Sequence, residues 1–376
     1  MHRRRHRSVG VEEELLLVDA HSGAPLAVSG AVLAAAERSA WQRPGTSGRR
    51  DHEFEKELQK EQLEFATKPV TEMGELQEEI VRIRREAADH AASAGAVVAA
   101  VATSPLPVKP SLNVGRRYRW LGEQFGLTAQ EQLTCGCHVH VSVASDEEGV
   151  AVLDRIRPWL AVLTAMSANS PFWQGGDSGY GSYRSRVWNR WPSAGPVDVF
   201  GSADRYHEQV RAMIDTGVLR DEGMIYFDAR LSATYPTVEV RVADVCLDAS
   251  TPVLLAALIR GLVETAARAW QDGRPPARIG TSLLRLASWR AGRSGLDGPQ
   301  LHPETMRETS AEDAVDALYQ HVREALKEQG DDERVREGIA HLHERGNGAR
   351  TQRRLHADGQ DLAAVVTRCA EVTIEP

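Results

Sequence analysis

The chain has 376 residues, 42% hydrophobic and 26% charged, with a net charge of −8. That composition belongs to a globular protein able to bury a sizeable core, and the acidic balance argues against nonspecific binding of nucleic acid. No apolar run has the length a membrane span needs, and four Cys are too few for a disulfide scaffold, so a cytoplasmic protein is expected.

The opening MHRRRHR carries four Arg with no apolar segment behind them. Residues 1–7 therefore read as a disordered basic tail and not as a secretory signal. Residues 8–376 read as a single catalytic domain. Val9 to Asp19 reads as a strand, and Pro25 to Ala36 begins as loop and becomes an Ala-rich helix. Residues 42–52 are polar loop with Gly and Pro. Thr71 to Ala92 is amphipathic helix, with Met73, Leu76, Ile80, Ile83 and Ala87 at steps of three and four and Thr71 as N-cap. Ala96 to Thr103 reads as a buried strand, Gln132 to Val143 as another, and Ala151 to Ala168 as a core helix.

Residues 169–196 hold three Trp, five Gly and three Arg in a long irregular stretch. Its aromatics point to an ordered, functional loop. A helix near 203–217 is followed by strands at 224–231 and 237–244, and from about residue 250 the chain reads as nearly all helix. The fold class is α+β: a largely antiparallel sheet, helices on one face and a helical C-terminal third.

Alternation assigns side chains to faces. Glu12, Glu14 and Leu16 share one face of the first strand, while Val11, Glu13, Leu15 and Leu17 share the other. Carboxylates at i and i+2 stand roughly 6.5–7 Å apart at the backbone and can converge on a cation; a solvated face is the competing reading. In LTCGCHVHVSV, His138, His140 and Ser142 point one way and Cys137, Val139 and Val141 the other. Alternation therefore disfavours a zinc site built from Cys135, Cys137, His138 and His140 together. In TVEVRVAD, Val238, Val240 and Val242 form the buried face and Glu239 and Arg241 lie on the other, as a solvated pair or as a cation ligand beside a phosphate-binding guanidinium. In EFEKELQKEQLEFAT, Glu57 and Glu64 differ by an odd number, so one regular strand would send them to opposite faces. Charge pairs there favour a solvated helix.

Carboxylates with imidazoles suit Mg²⁺ or Mn²⁺ better than zinc. With an Arg beside them they suit phosphoryl transfer from a nucleotide, although neither a Walker nor a Rossmann glycine motif is present. A metal-dependent amide hydrolase working without ATP is the alternative.

The segments GVEEELLLVD, CGCHVHVSV, SPFWQGGDSGYGSYRSRVWNRWP, DEGMIYFDARLSATYPTVEVRVAD, WRAGRSGLDG and ERGNGARTQ together resemble the type 2 glutamate–cysteine ligase (carboxylate–amine ligase) family, of the glutamine synthetase superfamily, over roughly residues 8–355. The resemblance implies a curved antiparallel sheet forming a funnel-like active site around ATP, metal and an amino-acid carboxylate. It implies an ATP-dependent ligase that forms an amide of γ-glutamyl type through an acyl phosphate, releasing ADP and phosphate, with glutamate and cysteine as one candidate pair. It assigns Glu12, Glu14, Glu57, Glu64, His138 and Glu239 to Mg²⁺ or Mn²⁺, which overturns the helix reading of 53–65. Arg241 and Glu239 become catalytic, with His140 and Arg241 at the nucleotide and Arg184 and Tyr183 at the substrate. The expected partners are small amino acids and amines, and the resemblance leaves room for a homodimer.

Overall fold

A computed structural model describes residues 6–42 and 54–375. Strand β1 (Val9–Asp19) has the expected bounds, and α1 (Ser29–Gln42) follows the loop expected after Pro25. The loop expected at 42–52 lies almost wholly outside the described residues. Beyond it, Phe54–Lys56 (β2) and Gln62–Ala66 (β3) pair as an antiparallel ribbon, not a helix. The turn between them resolves the parity problem, because Glu57 follows the end of β2 while Glu64 sits inside β3.

Helix α2 (Met73–Ala92) has Glu72 at its N-cap position, so Thr71 is not its cap; the Thr71 carbonyl instead accepts a hydrogen bond from Arg260. Strand β4 (Ala96–Ala99) is followed by the short helices α3 (Arg116–Phe125) and α4 (Leu127–Glu131) and by β5 (Gly136–Ser142). The helix expected over 151–168 is broken in two, α5 (Asp146–Ile156) and α6 (Leu160–Ser167). Pro158 sits in the tight turn between them, where it has no amide to donate. The 169–196 stretch is ordered. It holds a small hairpin, β6 (Phe172–Trp173) with β7 (Gly176–Asp177), and the short helix α7 (Arg184–Trp188). Asp244 anchors it, accepting from Asn169 N, Ser170 Oγ and Ser182 Oγ at 2.7–2.8 Å.

Helix α8 (Ala203–Asp215) precedes β8 (Ala229–Leu231) and β9 (Thr237–Asp244). Only the last three residues of the strand expected at 224–231 pair with β9; Phe227 instead bridges to Gly195. The C-terminal third is helical as expected: α9 (Ser250–Gln271), α10 (Thr281–Ser294), α11 (Ala311–Gln329), α12 (Asp332–Arg345), α13 (Gly348–Ala357) and α14 (Leu362–Thr373), with a two-residue hairpin, β10 (Gln300–Leu301) and β11 (Glu308–Thr309), before α11.

Among the described residues the main sheet has seven strands in the order β2-β3-β1-β5-β9-β8, with β4 on the far half of β1. Every pairing is antiparallel. One face packs on helices: Val9, Val11, Val139, Val141, Val238 and Val240 share a core with α2, α5, α6 and α9. The outer half of β1 joins a second core with α1 and α14. Helix α9 is long and apolar enough to cross a membrane, but 83% of its apolar window is buried, so the core consumes that surface. Arg7, expected in the basic tail, belongs to the folded body: it donates to Glu264 at 2.8 Å and to Glu148 at 2.6 Å.

Candidate active site

The other face of the sheet gathers the charged residues. Cross-strand register places Glu14 opposite Glu64, Glu12 opposite His138, His140 opposite Glu239 and Glu239 opposite Arg230. Because side chains alternate, this pairing puts all of them on one surface. Glu12 lies at the centre, with Oε2 3.4 Å from His138 Nδ1 and Oε1 3.2 Å from His140 Nε2. Glu239 takes both Arg230, at 2.7 Å, and Arg241.

A bulge modifies the expected alternation. Between the pairs Cys137↔Ala243 and Val139↔Val240, β9 spends one residue more than β5. The extra residue falls at Arg241–Val242, so Val242 leaves the fully buried row and is only partly covered. Arg241 keeps its place beside Glu239, its amide bonded to Asp228 O at 2.9 Å.

Gly136 explains the spacing of the CGCH segment. Its amide donates to Glu14 Oε2 at 2.6 Å. A Cβ there would overlap the Arg184 guanidinium and stand 3.2 Å from His138 Nε2. Only glycine lets backbone, carboxylate, imidazole and guanidinium crowd so closely.

Among the described residues, two sets of side chains can each offer three donor atoms within 4.8 Å of one another: Glu12, Glu64 and His138, and Glu12, His140 and Glu239. Both centre on Glu12 and neither contains a Cys. His138 Nε2 is buried with no hydrogen-bond partner, which suits a cation ligand. Glu14 and Glu57 stand outside these sets but line the same cavity. His140, expected at the nucleotide, touches Glu12 and accepts or donates at Thr237 Oγ1, 3.0 Å away.

The electrostatics describe a surplus of negative charge. Burial and then the Glu57 carboxylate raise Glu14 to about 7. The same causes push Glu64 well above the usual range. Burial works against ionisation of Glu12, but hydrogen bonds and charge from His138 and His140 hold it well below the ordinary value. Glu239 is likewise buried, yet Arg241 and Arg230 bring it down to about 2. His138 falls to about 4 through burial and the Arg241 charge, leaving a neutral imidazole at pH 7. Acids forced to share protons in this way form a site prepared for cations.

The structure sets the two residues expected at the substrate apart from this cavity. Arg184 is 1% exposed and does not line the cavity. Its guanidinium lies 4.0 Å from Asp244 and donates to Arg241 O at 3.4 Å. Tyr183 packs on Trp173 and Tyr180, also away from the cavity. Arg184 is buried beside Asp244 and Arg241, both distant in the chain, and Tyr183 is half-buried; no local pattern announces either. Cys137 is buried in the first core and Cys135 in the second.

The cavity above the carboxylates measures about 270 Å³, and its far wall holds Arg117, Tyr118, Trp188, Trp191, Tyr226 and Arg230. None of these was singled out from sequence. Arg230 had a visible signal, because it shares the polar face of the DARL segment. Trp188 and Trp191 lie in the 169–196 stretch whose aromatics pointed to a functional loop, whereas Tyr118 and Tyr226 come from two other stretches and gave no signal.

Residues 8–368 match glutamate–cysteine ligase family 2. A Streptomyces avermitilis protein provisionally named glutamate–cysteine ligase 2-1 is 60% identical over 367 residues, spanning 98% of this chain and 99% of its own. A Streptomyces coelicolor protein provisionally named glutamate–cysteine ligase 2 matches to the same extent, 60% over 367 residues with 98% and 99% coverage. Among solved structures, a Francisella tularensis glutamate–cysteine ligase in complex with AMP superposes with a TM-score of 0.68 at 12% identity, over 99% of this chain and 89% of that one. A bifunctional glutathione synthetase from Pasteurella multocida gives 0.53 at 15% identity, over 98% of this chain and 51% of that one. At those identities the two structures speak for the fold alone.

Proposed function

The chain belongs to glutamate–cysteine ligase family 2 and is a ligase that forms an amide bond with ATP, and from that premise we propose how its sheet face does so and on what. The carboxylate substrate is an amino acid and the nucleophile an amine, with glutamate and cysteine as the first pair to assay. An oxygen of the substrate carboxylate attacks the γ-phosphorus of ATP, and ADP leaves. The amine nitrogen then attacks the acyl carbon and gives up a proton to water, and phosphate leaves with that oxygen. The acyl phosphate is the only intermediate required.

Glu12, Glu14, Glu57, Glu64, His138 and Glu239 hold Mg²⁺ or Mn²⁺, a preference set by their oxygen-rich donor set. Bound there, the cations would neutralise phosphate charge and align the γ-phosphoryl group. Arg241 presents a planar guanidinium to the transferred phosphoryl group. His140 supports Glu12 and Glu239. The curved, funnel-like, glutamine synthetase-type surface expected from sequence belongs to the same reading, supported by the seven antiparallel strands and their charged face. Cytoplasmic residence is part of it too, supported by four unpaired, buried thiols.

The observation that carries this reading is the convergence of Glu12 with two imidazoles and two further acids in sets of donors within 4.8 Å, beside Arg241. A coupled assay of ADP release across amino acids and amines, with Mg²⁺ or Mn²⁺, tests it. ADP should form only when acid and amine are both present. Amide hydrolysis without ATP would overturn it.

A further inference from the structure

Arg241 lies within 5.6 Å of the Trp188 ring centroid, and Arg184 lies within 5.5 Å of the same ring. Two buried cations share one indole. Arg184 is balanced by Asp244 at 4.0 Å and Arg241 by Glu239. Trp188 and Arg184 are separated by four residues on α7, so they emerge on one side of the helix.

Helix α7 is firmly held. Ser170 Oγ accepts from Arg184 N at 3.0 Å, and Asp244 accepts from Ser170 Oγ and Ser182 Oγ at 2.7 Å each. The Trp188 ring also packs on Tyr226, centroids 4.9 Å apart. By contrast, Arg241 Nε is buried without a hydrogen-bond partner. The guanidinium is thus held at one edge by Glu239 and lies over the indole.

We propose that Trp188 is a positioning residue for Arg241, holding the plane of its guanidinium toward the phosphoryl group. The inference rests on the phosphate role proposed for Arg241. Its physical basis is that a cation at Glu239 would compete with Arg230 and Arg241 for the two carboxylate oxygens. A weakened Glu239 contact would leave the ring as the partner that still orients Arg241. A cation over an indole in a desolvated site is held well enough to do this. The 169–196 stretch then acts through Trp188, and Asp244 and Arg184 brace the helix that carries it.

The test is calorimetric binding of ADP and of the β,γ-imido analogue of ATP, each with Mg²⁺, to the full chain. The variants are Trp188→Leu, Trp188→Phe, Arg241→Lys and the double Trp188→Leu/Arg241→Lys; Trp188→Met replaces the Leu variant if that one does not fold. Trp188→Leu should weaken the triphosphate analogue about tenfold while ADP changes less than about twofold. Trp188→Phe, which keeps a ring face, should recover most of the loss. In the Arg241→Lys background the Leu substitution should add less than about twofold, because the two residues act as one unit. Equal weakening of both nucleotides would make Trp188 a plain cavity wall and overturn the proposal. So would an unchanged ratio, or an undiminished effect in the Arg241→Lys background. An unchanged ratio in Arg241→Lys alone overturns the phosphate role itself. A changed ratio there with an unchanged one in Trp188→Leu overturns only the positioning role.

Discussion

Glu13 and Arg84 form a two-point ion pair, 2.8 and 2.7 Å, in which both side chains are completely buried. Arg84 also donates to Cys246 O at 2.7 Å and to Leu247 O at 3.1 Å. The middle of three consecutive glutamates thus ties β1 to α2 and to the segment after β9, while Glu12 and Glu14 face the cavity. One strand carries structure on one side and chemistry on the other.

Glu13→Gln should therefore lower the melting temperature sharply while the folded fraction keeps substantial turnover. Removing one partner of a buried pair costs about 3–5 kcal/mol, because the other charge remains buried. Combining Glu13→Gln with Arg84→Met should recover part of that loss. Thermal denaturation and ADP release measured side by side decide it; a stable but inactive Glu13→Gln would mean that the strand faces the other way.

Glu12→Gln should have the opposite signature. Glu12 belongs to both donor sets, so its loss should remove Mn²⁺ binding, read by electron paramagnetic resonance, and cut ADP release by about 10²–10³ with folding intact. Glu14→Gln should also abolish ligation while the fold survives. Stoichiometric Mn²⁺ in Glu12→Gln would contradict the placement of the site.

Much of this division was legible from alternation. The bounds of β1 and β9 and their faces follow from period-two patterning. The register does not, because periodicity never says which strand lies beside which. Glu57 illustrates the limit: its odd spacing from Glu64 demanded a turn, but local charge pairs spoke for a helix. Arg84 was readable in principle. It sits four residues after Ile80 and three before Ala87 on the apolar stripe of α2, and Glu13 sits in the apolar row of β1, so two opposite charges occupied core positions. Arg184 was not readable, because its burial beside Asp244, 60 residues away in the chain, depends on how the 169–182 loop is gathered; Tyr183 is half-buried against Trp173 and Tyr180.

Stability should depend on pH and metal together. Glu14 and Asp228 both stand at about 7, and Glu64 and His140 are raised as well. These groups keep protons in the fold that the unfolded chain has released, so their contribution is lost as pH rises through the folded values. His138, lowered to about 4, acts in the opposite sense only below the unfolded value near 6.5. From pH 6.5 to 8 the metal-free protein should lose stability, and Mg²⁺ should oppose the loss. The Mg²⁺-induced rise in melting temperature should be larger at pH 8 than at pH 6.5; a rise that shrank would contradict the assignment of these acids.

Gly136→Ala should fold but lose most activity. The added methyl meets the Arg184 guanidinium and His138, so either group must move, and Glu14 risks losing its amide donor. Reduced Mn²⁺ affinity with a modest fall in melting temperature is the expected result. Wild-type turnover would show that the crowding has no bearing on the site.

The acyl phosphate is the central claim, and oxygen labelling tests it most directly. The acid that supports the greatest ADP release is supplied with ¹⁸O in its carboxylate, together with ATP, Mg²⁺ and the amine, and the phosphate is analysed by mass spectrometry. The account predicts one ¹⁸O in the phosphate for each amide formed, because the oxygen that attacks phosphorus departs with it. Unlabelled phosphate, or AMP and pyrophosphate as products, would contradict it.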